Sequence, residues 1–165
     1  MNAKVGIVMG SDSDLPLMKK TAAVLDEFGV GYEMRVSSAH RTPEDTFAYA
    51  QAAESRGLRV IIAGAGAAAH LPGVIAAATT LPVIGVPINA TALNGVDALY
   101  AIVQMPSGVP VASVGVDGAK NAGLLAVQML ALSDDGLKQK LVAYKQQMRE
   151  AVLAKDAKLQ AELEK

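Results

Sequence analysis

The chain has 165 residues and a formal net charge of −1, and its length fits a single domain with a sizeable core. That charge gives no general attraction to nucleic acid or to acidic membranes, and aromatic residues, at 4%, are too few for a base-stacking surface. The sequence has no Cys, which excludes disulfides and thiolate chemistry and fits a reducing compartment.

A long stretch, residues 60–116, contains a single charged residue, Asp97. Repeated Pro and Gly interrupt this stretch, so it offers no run of about 20 continuous apolar residues for a membrane span. The first apolar run, Val5–Met9, is too short for a signal peptide and is soon followed by Asp12. A buried parallel sheet explains the pattern better, because its strands are covered on both faces. We therefore expect a cytoplasmic protein that contacts neither nucleic acid nor membrane.

The first half of the chain alternates strand-like apolar runs with helical patterns, which is typical of βαβ units. In chain order, the predicted elements are a strand at Val5–Met9, a helix at about 15–28, a strand at Tyr32–Val36, a helix from Pro43 to about Arg56 with Thr42 as its N-cap, a strand at Val60–Ala63 and a helix at about 71–79.

The second half continues the alternation and ends in a long helical tail. The predicted elements are a strand at Val83–Val86, a helix near Val96–Val103, a Pro/Gly loop at 104–109, a strand near Val111–Val116, a helix at about 121–132, and an amphipathic helix from Leu137. Five βα units predict an open, doubly wound α/β sheet. A barrel fragment is the less favoured alternative, because a barrel needs eight units.

Two of the predicted helices lack a polar face. The helix at 71–79 has no charged residue, and the helix at 96–103 has only Asp97. A single small domain cannot bury both helices completely, so we expect a homo-oligomer. An Ala-rich, mildly apolar surface is the alternative.

Polar and small residues follow three consecutive predicted strands, at 10–14, 37–41 and 64–70. Ligands of open α/β sheets bind outside the carboxyl ends of the strands. The only two His of the sequence, His40 and His70, fall in two of these three loops. This coincidence predicts a ligand site at that edge of the sheet.

The first loop, Gly-Ser-Asp-Ser-Asp at 10–14, suits a phosphate, because Ser11, Ser13 and free backbone N–H groups precede a helix. Asp14 could accept hydrogen bonds from sugar hydroxyls. A plain turn with Ser13 or Asp14 as the helix N-cap explains the same residues equally well. No Gly-Lys-Ser/Thr follows, so the loop is not a Walker motif.

The second loop contains Ser38, His40 and Arg41 directly before a helix. A cation is disfavoured at a helix N-terminus, and an anionic ligand would remove that penalty. Arg also binds phosphate through two parallel hydrogen bonds, and His exchanges protons near neutral pH. The alternatives are a solvated Arg41 and a His40 satisfied by backbone groups.

The third loop, residues 64–69, is almost without side chains, so a flat ligand could lie against Gly64, Ala65, Gly66 and Ala67. Tight helix–strand packing explains these residues equally well. His70, before Leu71, could cap or orient the loop or act directly, and the structural role is the commoner one.

The sequence lacks the motifs of a zinc site and of a serine hydrolase. A metal site from His40, His70, Asp12 and Asp14 is conceivable, but no pair of them has zinc-like spacing. A Gly-x-Ser-x-Gly elbow for a serine hydrolase is missing from the sequence.

Five motifs together carry a family resemblance. They are Gly-Ser-Asp-Ser-Asp at 10–14, Ser-Ala-His-Arg-Thr-Pro at 38–43, Ala-Gly-Ala-x-x-Ala-Ala-His-Leu-Pro-Gly at 63–73, Leu-Pro-Val-Ile-Gly-Val-Pro at 81–87 and Ile-Val-Gln-Met-Pro-x-Gly-Val-Pro-Val at 102–111. The chain closely resembles, over about residues 4–130, the bacterial class of N5-carboxyaminoimidazole ribonucleotide mutases, also grouped as phosphoribosylaminoimidazole carboxylase catalytic subunits.

Length and helical pattern predict one catalytic domain over 1–165, with a core at about 4–132 and a C-terminal helical extension at about 134–163. The resemblance implies a three-layer flavodoxin-like (Rossmann-like) α/β fold with flanking helices, a homo-octamer, and neither metal nor cofactor. The substrate would be N5-carboxyaminoimidazole ribonucleotide, handed over by the ATP-dependent carboxylating synthetase. The product would be 4-carboxy-5-aminoimidazole ribonucleotide of de novo purine biosynthesis.

The resemblance also assigns roles to individual residues. His40 would be the acid–base residue, with the loop at 104–109 helping to close the site at a subunit boundary. Substrate contacts would come from Ser11, Ser13, Asp14, Ser38, Arg41, Gly64, Ala65, Gly66, Ala67, His70 and Leu71. Alternatives to the mutase are a carboxylase that uses free carbon dioxide, a non-catalytic nucleotide-binding module and an assembly protein.

One position departs from the family pattern. The family usually has Gly-Ala-Gly-Gly-Ala-Ala-His, whereas this chain has Ala67 as the second residue of the Gly-Gly pair. The added methyl either narrows the carbon dioxide pocket or requires a negative φ. We expect it to point away from the pocket, so that Ala67→Gly leaves turnover unchanged and costs about 0.5–1 kcal/mol of stability.

Overall fold

Five parallel strands form a single sheet in the computed structural model, which describes residues 2–164. The strands are β1 (Val5–Met9), β2 (Tyr32–Val36), β3 (Val60–Gly66), β4 (Val83–Ile88) and β5 (Ala112–Ser113). Their order is β2-β1-β3-β4-β5, which is the flavodoxin-like order. The predicted three-layer flavodoxin-like α/β fold is therefore confirmed.

Six α-helices connect and follow the strands within residues 2–164. They are α1 (Leu15–Phe28), α2 (Pro43–Ala52), α3 (Leu71–Ala78), α4 (Val96–Val103), α5 (Ala119–Leu130) and α6 (Asp135–Leu163). Local residues set both ends of helix α1. Pro16 lies in its first turn, and Gly29 ends it with a left-handed φ of 72°.

The core lies on both faces of the central strands. Every residue of β1 and β4 is buried, as are all of β3 except Gly66, which explains why residues 60–116 are almost free of charge. Glycines let the helices approach these strands closely. A Cβ on Gly85 would lie 2.4 Å from Cγ2 of Ile102 on α4.

Two strand ends differ from the prediction for a common reason. Strands β3 and β4 remain paired beyond Ala63 and Val86, through Ala65 with Pro87 and Gly66 with Ile88. Pro87 has no N–H to donate to a neighbouring strand. Its carbonyl accepts a hydrogen bond from Asp117 N–H on the side of β5, which pairs only with residues 84 and 85, so no ladder bond is lost there.

Three other bounds also differ. Helix α2 ends at Ala52 rather than near Arg56, because a turn leads to Gly57, whose φ is 95°. Strand β5 is two residues long, and α5 starts and ends two residues earlier than predicted, at Ala119 and Leu130.

The chain divides into two compact units, the first ending at Met129 and the second beginning at Leu130. The second unit consists of a 3₁₀ turn at 131–133 and α6, which Asp134 caps by accepting a hydrogen bond from Leu137 N–H. The prediction of a single catalytic domain stays a prediction. Among residues 2–164, no helix is both long and apolar enough to cross a membrane.

Candidate active site

The loops after β1, β2 and β3 meet at the carboxyl edge of the sheet. From β1 the chain runs to β2 on one side, and it then crosses to β3 on the other side of β1. Open α/β sheets bind ligands at such a switch point in strand order. A cleft of about 190 Å³ opens there. It is lined by Gly10, Ser11, Ser13, Asp14, Ser38, Ala39, His40, Arg41, Ala65, Gly66, Ala67, Ala68, Leu71 and Ala90. All predicted site residues except Gly64 and His70 line it.

The first loop is a 3₁₀ turn with Ser11 as its N-cap. Ser11 Oγ accepts from Ser13 N–H at 3.3 Å, and Ser11 N–H donates to Oδ2 of Asp14 at 3.2 Å. The alternative of a plain turn had assumed that Ser13 or Asp14 caps α1. Neither side chain makes a capping hydrogen bond to that helix. Burial raises the pKa of Asp14, which is 8% exposed, and the hydrogen bond from Ser11 N–H works against that rise.

The second loop is held by side chain to backbone hydrogen bonds. Thr42 Oγ1 accepts from Ser38 N–H and donates to the Ser38 carbonyl, both at 3.1 Å, so Thr42 is at the N-cap position without capping α2. Arg41 N–H donates to Ser38 Oγ at 3.3 Å. The Arg41 guanidinium donates to the Gly10 carbonyl at 3.2 Å and thereby joins the second loop to the first.

The two histidines contact each other. Nε2 of His40 lies 2.7 Å from Nδ1 of His70, and the rings meet edge to face with centroids 4.9 Å apart. His40 lines the cleft, whereas His70 reaches the site only through His40. The alternative of a His40 satisfied by backbone groups is therefore wrong, because its ring partner is an imidazole.

The third loop is shorter than predicted because β3 continues through Gly66. Gly64 is a strand residue outside the lining of the cleft, and its contact with substrate stays a prediction. A Cβ on Gly64 would lie 2.5 Å from Sδ of Met18, so this glycine serves the packing of α1 on the sheet. Ala65, Gly66 and Ala67 do line the cleft.

Ala67 has a φ of 52°, so the alternative that its methyl requires a negative φ is wrong. A left-handed backbone costs a non-glycine residue about 1–2 kcal/mol, more than the entropy that glycine loses. We expect Ala67→Gly to raise the free energy of unfolding by up to about 1 kcal/mol and Tm by about 2–4 °C, as thermal melts can measure. Turnover should change less than about threefold.

Ala68→Gly is the matched control for that prediction. Ala68 is also exposed and lines the cleft, but its φ is not positive. The same substitution there should lower stability by about 0.5–1 kcal/mol. Equal losses of stability in both variants would show that the backbone at Ala67 is not strained.

Ala90 is a lining residue that the sequence reasoning missed. It follows β4, whose carboxyl end lies at the same edge, and a Cβ on Gly66 would come within 2.6 Å of the Ala90 methyl. Extending the strand-end rule from three strands to the fourth would have found it. Gly10, Ala39 and Ala68 were not singled out either, although they flank predicted residues.

No residue of the loop at 104–109 lines the described cleft of its own chain. Met105 Sδ lies 3.1 Å from the place of a Cβ on Gly73, so this part of the loop packs on α3. A role at a subunit boundary stays a prediction. Within residues 2–164, no three His, Asp or Glu side chains are close enough together to hold a metal ion.

Comparison with known proteins decides the family. Residues 4–151 match the family model described as AIR carboxylase. The chain belongs to the AIR carboxylase family. The match covers all three loops of the cleft, so the geometry described above is the geometry of an AIR carboxylase family member.

Relatives of this AIR carboxylase family member include mutases and carboxylases. N5-carboxyaminoimidazole ribonucleotide mutase of Pyrococcus abyssi is 63% identical over 146 residues, which cover 88% of this chain and 84% of the relative. The chloroplastic phosphoribosylaminoimidazole carboxylase of Vigna aconitifolia is 56% identical, but the match covers 94% of this chain and only 28% of that longer protein. The crystal structure of Treponema denticola PurE matches with a TM-score of 0.86 and 31% identity, over 94% of this chain and 97% of that one.

Proposed function

We propose that this protein is an N5-carboxyaminoimidazole ribonucleotide mutase that forms 4-carboxy-5-aminoimidazole ribonucleotide in purine biosynthesis. The observation that carries the proposal is the position of His40, an acid–base imidazole, in one cleft with the serines of the first loop and Arg41. The sequence identity to mutases of similar length supports it, since the carboxylase match covers only a minor part of a longer protein.

The first two loops supply the parts of a phosphoribosyl site. Ser11 and Ser13 present hydroxyl groups at a helical turn, and the Arg41 guanidinium is exposed beside them. These groups suit a phosphate, with Ser38 next to them. Asp14, the one carboxylate lining the described cleft, would accept hydrogen bonds from the ribose hydroxyls.

The opposite wall suits a flat ring and carbon dioxide. Strand β3 and the loop after it contribute backbone and methyl groups from Ala65, Gly66 and Ala67, with Leu71 and Ala90 beside them. Small side chains let the imidazole approach the backbone. An apolar wall also holds carbon dioxide without competing hydrogen bonds.

The proposed reaction moves one carboxyl group and one proton. The N–C bond of the carbamate breaks with release of carbon dioxide, and the proton from His40 goes to the exocyclic nitrogen. C4 of the bound aminoimidazole then attacks the trapped carbon dioxide, and His40 takes the C4 proton as aromaticity returns. The proton that His40 gives is thus replaced. Holding carbon dioxide against C4 adds an effective-concentration advantage.

Product analysis tests the proposal. The purified protein receives carbamate labelled with ¹³C at its carboxyl carbon, in a buffer with unlabelled bicarbonate. A mutase retains the label in the 4-carboxy product, because the carbon dioxide does not leave the cleft. A carboxylase gives unlabelled product from aminoimidazole ribonucleotide and bicarbonate, and a non-catalytic module binds without forming product.

We further propose a homo-oligomer, an octamer as the family resemblance implies. Helix α4 exposes an apolar stripe of Val96, Tyr100 and Val103, preceded by the exposed Leu93. His40 and Arg41 are also exposed in one chain, so a neighbouring subunit would complete the water-free site that the reaction needs.

Light scattering should report an oligomer at micromolar concentration, and Tyr100→Lys should lower the observed mass because it places a charge within the apolar stripe. Phe47→Lys is the control, since Phe47 is an exposed apolar residue on α2. A wild-type monomer, or equal effects of the two variants, would contradict the prediction.

We place the enzyme in the cytoplasm, where the ATP-dependent carboxylating synthetase would hand over the carbamate. The reason is chemical: an N-carboxylated amine loses carbon dioxide readily in water, so a short path between the two enzymes preserves it.

A further inference from the structure

The hydrogen bond between His40 and His70 defines what each ring nitrogen can do. Nε2 of His40 and Nδ1 of His70 are 2.7 Å apart, so one nitrogen donates a hydrogen and the other accepts it. Within residues 2–164, this is the only hydrogen bond that the His40 ring makes. Nδ1 of His40 is therefore available to a ligand, whereas Nε2 is occupied.

The protonated state of His40 fixes the direction of that hydrogen bond. An imidazolium carries a hydrogen on both nitrogens and can only donate. His70 must then accept at Nδ1, which makes it the neutral tautomer with its hydrogen on Nε2. When the proton leaves from Nδ1 of His40, the same hydrogen bond persists. If it left from Nε2, the hydrogen bond would have to break or reverse.

Hydrogen bonds around both histidines hold their backbone, and with it the two rings, in a fixed arrangement. His70 stands at the N-terminus of α3, where its N–H donates to the Ala68 carbonyl and its own carbonyl accepts from Val74 N–H. His40 is in the loop that Thr42 and Ser38 hold together. These backbone contacts hold Nδ1 of His70 in place opposite Nε2 of His40.

We propose that His70 is a positioning residue: it accepts a hydrogen bond from Nε2–H of His40 in both protonation states, so that Nδ1 of His40 exchanges the proton with the substrate. The proposal rests on the proposed function. It adds that Nδ1 of His40 is the reacting nitrogen and that His70 orients the His40 ring. A fixed tautomer and ring angle remove a reorganisation step from the proton transfer.

Nitrogen NMR tests the pairing without any enzymatic assay. The chain has two His, so ¹⁵N-labelled imidazoles give two ring systems that His70→Asn assigns. We expect both neutral rings to carry hydrogen on Nε2 and to show a nitrogen–nitrogen coupling across the hydrogen bond. A His70 ring with its hydrogen on Nδ1 would overturn the proposal.

Kinetics of two His70 variants test the consequence. His70→Leu removes the acceptor and should lower kcat about 10- to 100-fold with little change in KM, because one hydrogen bond to a charged group is lost. His70→Asn offers an amide oxygen near the place of Nδ1 and should restore most of that loss. His70 is exposed, so both variants should fold.

The outcomes separate this inference from the function. Wild-type protein that makes no product would overturn the proposed function. Product formation by the wild type with an unchanged kcat in His70→Leu would overturn the positioning role alone. A loss in His70→Leu that His70→Asn does not recover would also overturn it, since the acceptor would then not be what matters.

Discussion

His40→Asn should lower kcat by a factor of at least about 10², the usual contribution of a positioned acid–base group. Asn can still accept and donate hydrogen bonds but cannot carry a proton between the exocyclic nitrogen and C4. Steady-state turnover of the carbamate substrate measures the effect. Binding of the product, measured by calorimetry, should change little, because the phosphoribosyl contacts come from other residues.

A variant that keeps more than about a tenth of the wild-type rate would contradict the role of His40. In the described cleft, Asp14 is the other side chain that could take a proton. Burial raises its pKa, which makes its carboxylate a stronger base than an ordinary aspartate. Residual activity in His40→Asn that disappears in the double variant with Asp14→Asn, while calorimetry shows that the double variant still binds the product, would assign the proton transfer to Asp14.

Arg41→Ala should weaken binding of the aminoimidazole ribonucleotide by about 10- to 100-fold and binding of the dephosphorylated ribonucleoside by less than about threefold. A hydrogen bond between charged groups contributes about 1.5–3 kcal/mol, and the nucleoside cannot make it. Arg41 is the only Lys or Arg in the three loops of the sequence, so no neighbouring cation replaces it. Calorimetric titration of both ligands measures the difference.

Two further variants show whether Arg41→Ala weakens binding through the lost phosphate contact or through a loosened first loop. The guanidinium also donates to the Gly10 carbonyl, so its removal could loosen the first loop and weaken both ligands alike. Arg41→Lys keeps the charge and should recover part of the phosphate preference. Arg59→Ala, an exposed arginine just before β3 and so at the opposite edge of the sheet, is the control and should change neither affinity. Equal losses for both ligands in Arg41→Ala would remove the phosphate role.

The sequence predicted elements correctly where local signals agreed with packing. The bounds of β1, β2, α1 and α4 match the structure, because apolar runs, Pro and Gly mark their ends. The end of β3 was missed because Gly64, Ala65 and Gly66 have no side-chain pattern, and only pairing with β4 shows that they are a strand.

The cleft residues were largely predictable because they follow strands, and parallel strands bring their carboxyl ends to one edge. The contact between His40 and His70 was not predictable, since 30 positions separate them and only the sheet order makes their loops neighbours. The linkage of Arg41 to Gly10 has the same origin.

By itself, the sequence determined the parallel α/β architecture, the family and the edge that carries the site, because hydrophobic periodicity and motifs are local properties of the chain. The tertiary structure alone decided which nitrogen of His40 is occupied, which glycine serves packing and which sign φ takes at Ala67. These features depend on distances between segments far apart in the sequence, or on a backbone conformation that the surrounding fold imposes against the preference of an alanine.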